Sequence, residues 1–118
     1  MRRFFRNRDI TFLHEDDCLV RTVSGADGRS YTHRCELPVY EQVAWHLEQT
    51  PAEGRGTTLS EIVSTQGVPF TQADVTLSFL GERGIVDRRH RRLYPATRSP
   101  HLDARVEWHA LREEPREG

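Results

Sequence analysis

The chain has 118 residues, enough for one domain with a modest core, and its net charge is −1. No apolar run approaches the ~20 residues of a membrane helix, and two cysteines are too few for a disulfide framework. Met1 to Arg8 is charged but lacks the apolar stretch of a secretory signal, so a cytoplasmic protein is expected.

The basic arm at residues 1–8 leads into an expected strand at 9–14, a turn at Glu15–Asp17 and a second strand from Cys18 to Ser24. Gly25-Ala-Asp-Gly28 reads as a hairpin loop, and Arg29 to Cys35 as a third strand with Tyr31, His33 and Cys35 on one face. A four-residue loop pairs Ser24 with Arg29, which sets Cys18 opposite Cys35. Two half-buried thiols are expected there in preference to a strained cross-strand disulfide. With His14 and His33 they supply the ingredients of a zinc site. Paired C-x₂₋₄-C spacing is missing, so neither metal nor cofactor is assigned.

Pro38 to Gln49 carries the apolar stripe Val39, Val43 and Leu47 of a first helix. Residues 50–56 read as an exposed, mobile loop. Thr57 or Thr58 caps a second helix, with Glu61 three residues beyond Thr58 as in a capping box, and Gly67 ends it. Pro69 suits the start of a third helix, in which Ala73, Leu77 and Leu80 repeat before Gly84 stops the run. Ile85-Val86 is extended, residues 87–92 form a charged tip, and Leu93-Tyr94 returns to the core. Ser99-Pro100 opens a last helix at 101–111, with Leu102, Val106 and Ala110 on one side. That side either folds back on the hairpin or makes a homodimer contact.

Leu59 to Tyr94 resembles the winged helix-turn-helix superfamily through the offsets of Gly67, Ala73, Leu77, Leu80, Gly84 and Val86. The expected fold is α+β: a three-stranded antiparallel sheet, then a three-helix core with a β wing over 9–98, then a helix and tail over 99–118. The resemblance implies a non-catalytic module that binds double-stranded DNA in the manner of a transcriptional regulator. The outward positions of the third helix would be Phe70, Thr71, Asp74, Val75 and Ser78. Among these, Thr71, Val75 and Ser78 are the candidates for base contact.

Charge shifts the emphasis away from that helix. Between Glu36 and Glu82 seven acids stand against one base, Arg55, a net of −6. Basic character lies instead in the wing, Arg88, Arg89, His90, Arg91 and Arg92, and in the arm, Arg2 and Arg3. All 17 basic residues are arginine, most simply through coding bias, and each can grip a phosphate or carboxylate with two donors.

Three strands before three helices also resemble the PqqD-like peptide-recognition domains. The residues involved are Gly28 to Tyr31, Leu37 to Leu47, Thr58 to Ile62, Asp74-Val75, Phe79-Leu80 and Gly84-Ile85. In that family a leader peptide adds to the third strand and lies against the third helix, for the benefit of a peptide-modifying, radical-SAM-type enzyme. Carried over, the peptide would meet Tyr31, His33, Cys35, Val75 and Phe79. No nucleophile–base order, phosphate loop or carboxylate pair emerges, so no catalytic residue is assigned.

Overall fold

A computed structural model describes residues 9–114. Strands β1 (Ile10–Glu15), β2 (Cys18–Ser24) and β3 (Ser30–Glu36) form an antiparallel sheet in the order β1-β2-β3. Asp16 and Asp17 join the first two with φ of 55° and 61°. Two left-handed residues are what a two-residue hairpin turn requires, and aspartate tolerates that region better than most side chains.

The second hairpin departs from the expected register by one residue. Its loop has five residues: Gly25 N–H donates to Arg29 C=O at 2.7 Å, and Arg29 N–H donates to the Asp27 carboxylate at 3.0 Å. Ser24 therefore pairs with Ser30, Leu19 with Cys35, and Cys18 with Glu36. A one-residue slip exchanges the faces of a strand. Cys18 and Cys35 consequently lie on opposite faces of the sheet, and both thiols are free. The inner face carries Ile10, Phe12 and His14 from β1, Leu19, Arg21 and Val23 from β2, and Tyr31, His33 and Cys35 from β3.

Helices α1 (Leu37–Glu48), α2 (Leu59–Gln66) and α3 (Phe70–Glu82) follow in order. Thr58 caps α2, its hydroxyl accepting the Glu61 N–H at 3.1 Å. Gly67 closes the helix at φ 64°, a left-handed terminus that glycine adopts without steric penalty. Strands β4 (Val86–Arg89) and β5 (Arg92–Pro95) make a separate two-stranded sheet, and α4 (Pro100–Glu113) ends the described chain. The pairing extends further into the arginine run than the sequence suggested. Only His90 and Arg91 form the turn, at φ 50° and 69°.

The fold is α+β, with the core enclosed by the inner sheet face, α1, α3 and α4. Phe79 of α3 packs edge-on against Phe12, with ring centroids 5.2 Å apart, and lies 6.2 Å from the ring of Tyr40. Trp108 of α4 meets Tyr40 at 4.8 Å and His14 at 5.1 Å, while the Tyr40 hydroxyl donates to the Ala104 carbonyl. These contacts fix the rotation of α4. Ala104, Trp108 and Leu111 face inward, whereas Leu102 and Val106, expected either to fold back on the hairpin or to make a homodimer contact, are exposed and do not fold back.

Phe79→Ala is expected to lower unfolding free energy by about 3–5 kcal/mol. Leu102→Ala, at a side chain 59% exposed, should stay within about 0.5 kcal/mol of the parent. Urea unfolding of the two variants checks this packing, and comparable losses would contradict it.

Candidate functional site

Helix α3 crosses the inner face of the sheet. Near its start, the Gln72 side-chain oxygen accepts the Glu36 N–H at 3.0 Å, and Thr76 Oγ1 meets Cys35 Sγ at 3.2 Å. Val75 and Phe79 are fully buried. Of the outward positions expected from the sequence, Phe70 and Thr71 are exposed, while Asp74 and Ser78 are half-buried. Asp74 accepts from Arg21 Nη1 at 3.2 Å, so its charge is met by the sheet. Arg21 Nη2 lies 3.4 Å from His33 Nδ1; because arginine only donates, that ring nitrogen is the acceptor.

The strip Asp74, Ser78 and Gly81 forms the floor of a groove of about 480 Å³, walled by Ile10 and Phe12 of β1 and by Val86 and Leu93 of the β4–β5 hairpin. Val75 cannot reach a base edge from its place in the core. Of the five residues expected to meet a peptide, Tyr31 is exposed and His33 half-buried, whereas Cys35, Val75 and Phe79 are core.

No strand among the described residues lies beyond β3. The Glu36 N–H points away from β2 toward Gln72, and backbone direction alternates along an antiparallel strand. Ser30, Thr32 and Arg34 therefore also turn their N–H and C=O groups to the open edge, and all three are exposed. The Gly25–Arg29 bond has the same phase.

The hairpin arginines divide into two pairs. Arg92 donates from Nη2 to both carboxylate oxygens of Glu61, at 3.2 and 3.0 Å, and from Nε to the Arg55 carbonyl. Arg89 stacks over Tyr94 at 3.9 Å and donates to the Ala52 carbonyl at 3.3 Å. Tyr94 in turn donates to the Gly54 carbonyl at 3.0 Å. The loop at 50–56, expected to be mobile, is thus fastened to the hairpin at three carbonyls. Gly56 lets it approach: a Cβ there would sit 2.6 Å from the Leu93 oxygen, at a φ of 66°. Arg88 and Arg91 are exposed and have no ion pair or hydrogen bond among the described residues. Arg2 and Arg3 lie outside those residues.

Beneath the loop, Gln42 donates to the Gln66 oxygen at 3.4 Å, which turns the Gln66 amide nitrogen toward His46 Nδ1, 3.1 Å away. His46 Nε2–H then donates to Thr57 Oγ1 at 2.9 Å, and the Thr57 hydroxyl donates to Glu61 at 3.3 Å. The chain requires a neutral imidazole. Burial lowers the His46 pKa, against an opposing influence from Glu61. Hydrogen bonding from Arg92 holds Glu61 below the ordinary carboxylate range. Burial, with the Arg112 charge, also lowers His14.

Histidines with lowered pKa bind protons more tightly when unfolded. Their stabilisation is complete above about 6.5 and is lost as pH falls through the value held in the fold. The urea midpoint should therefore fall between pH 7.5 and 5.5, and His46→Gln should flatten that dependence. An unchanged dependence in the variant would contradict the neutral-imidazole chain.

Cys35 is buried in the inner face, and desolvation pushes its thiol up to about 12, so it is a poor nucleophile at neutral pH. With Cys18 on the other face, Cys18, Cys35, His14 and His33 do not converge. Among the described residues no cluster of three or more His, Cys, Asp or Glu is placed to hold a metal, and no helix is long and apolar enough to cross a membrane. Sequence reasoning missed Arg21 and Gln72. The position of Arg21 between Leu19 and Val23 was its available signal, a charge alternating onto an apolar face. Comparison of the chain with protein-family models, curated proteins and solved structures yields no match.

Proposed function

We propose that this domain is a non-catalytic binding module of winged helix-turn-helix type that takes an extended peptide as a fourth strand on β3. The observation carrying this reading is the open edge at Ser30, Thr32 and Arg34. An incoming strand gains backbone hydrogen bonds worth about 0.5–1.5 kcal/mol each. Tyr31 and His33, on the inner face of β3, would meet alternate side chains of that strand. The recessed strip of α3 favours the same reading, because walls on both sides keep a major groove away from Ser78, and Val75 is in the core.

Thr32→Pro is the direct test. The Thr32 N–H points away from β2, so proline removes an edge donor while leaving the β2–β3 ladder in place. Twelve-residue peptides selected from a displayed random library against the parent should lose roughly tenfold or more in affinity for the variant. Circular dichroism should show an unchanged fold. Selected peptides indifferent to Thr32→Pro, or a library yielding none, would overturn the reading.

Duplex DNA binding through the β4–β5 wing is a second reading, favoured by Arg88 and Arg91, which have no partner among the described residues. It has only two free guanidinium groups there, since Arg89 and Arg92 are engaged within the fold. If it holds, retention on duplex DNA falls with salt, and Arg88→Ala with Arg91→Ala flattens the log–log slope by about 2. Absence of retention at low ionic strength would exclude it.

A further inference from the structure

The groove between the first sheet, α3 and the β4–β5 hairpin includes no residue of β3; it meets the edge considered above only through Arg21, which lies 3.4 Å from His33. Its apolar walls are Ile10, Phe12, Leu77, Val86 and Leu93, and its volume of about 480 Å³ lies in the range of small-molecule sites.

The charges lining it are unevenly matched. Asp74 is engaged by Arg21 at 3.2 Å, and Glu82 lies 3.4 Å from Arg83. Asp87 also lines the groove, from the side of β4 opposite Val86 and Arg88, with Tyr94 as its cross-strand neighbour and no ion pair among the described residues. Two guanidinium groups are less fully met. Arg88 shares its face of the hairpin with Val86 and Leu93, and it has no acceptor among the described residues. Arg21 is only 11% exposed; its two Nη atoms meet Asp74 and His33, and its buried Nε alone lacks an acceptor. A buried donor without an acceptor is costly and uncommon in folded proteins.

We infer that this groove binds a small carboxylic acid with an aromatic or aliphatic body. The carboxylate would take donors from Arg88 and from the Arg21 side, and the body would lie against Phe12, Leu77, Val86 and Leu93. Such a ligand would bridge the sheet and the hairpin, and would leave β3 free.

The probes are 3-phenylpropionate, 3-phenylpropanol and 3-phenylpropylamine, which share a body and differ in charge. They are titrated into the full chain while resonances of Leu77, Ser78, Val86 and Leu93 are followed. The acid should shift these signals, and the alcohol and amine should bind roughly tenfold or more weakly. Arg88→Gln should weaken the acid by a similar factor without altering the alcohol. Ser78→Tyr, which fills the floor, should abolish the shifts, whereas Thr32→Pro should leave them unchanged. An amine that binds as tightly as the acid, or an acid indifferent to Arg88→Gln, would overturn the inference. Tighter binding of N-acetylphenylalanine than of 3-phenylpropionate would overturn the assignment to a free acid and give the groove to a peptide C-terminus. Loss of acid binding in Thr32→Pro would overturn the independence of the two sites.

Discussion

The packing of α3 across the inner face of the sheet governs the rest of the molecule. Phe79 between Phe12 and Tyr40 sets the rotation of the helix, and that rotation sends Val75 and Thr76 inward with it. The strip left outside, Asp74, Ser78 and Gly81, becomes the floor of a groove because the sheet rises on one side and the β4–β5 hairpin on the other. Asp74 illustrates the consequence for charge. A carboxylate that would repel phosphate on an open helix is here the partner of Arg21. The helix thus presents a recess and not an open face along this strip.

Arginine has a structural role in the hairpin beyond any ligand. Arg92 reaches a carboxylate with one nitrogen and a backbone carbonyl with another, so one planar group ties α2 to the loop at 50–56. Arg89 combines a stacked contact on Tyr94 with a hydrogen bond to Ala52. A lysine ammonium offers a point charge and no plane, and would reproduce neither arrangement. The all-arginine composition, which coding bias accounts for simply, has therefore been put to use at these two positions.

The order of elements was legible because each boundary carries local chemistry. Thr58 and Gly67 mark the ends of α2 through a hydroxyl cap and a left-handed terminus, and neither depends on distant residues. Two details were not legible, one because a loop side chain competes for a strand residue and one because it is set at long range. The register of the second hairpin turned on whether Arg29 belonged to the loop or the strand, which Asp27 decides by accepting its N–H. The buried side of α4 is chosen by Trp108 against Tyr40, over a competing stripe of Leu102 and Val106 with similar spacing. For the candidate surfaces, residue types identified Tyr31, His33 and the arginine cluster. They could not separate the free Arg88 and Arg91 from the engaged Arg89 and Arg92, because the partners are backbone carbonyls and Glu61.

The fastening of the loop has a consequence for the order of events in folding. Ala52 and Arg55 are held by side chains 37 residues later in the chain, and Gly54 by one 40 residues later. Closing contacts of that separation must overcome chain entropy before they stabilise anything. During synthesis, α1 and α2 emerge and can form while the segment between them still lacks its anchors. The loop reaches its final position only when the hairpin arrives, which makes 50–56 the junction at which the earlier and later halves of the chain are locked together.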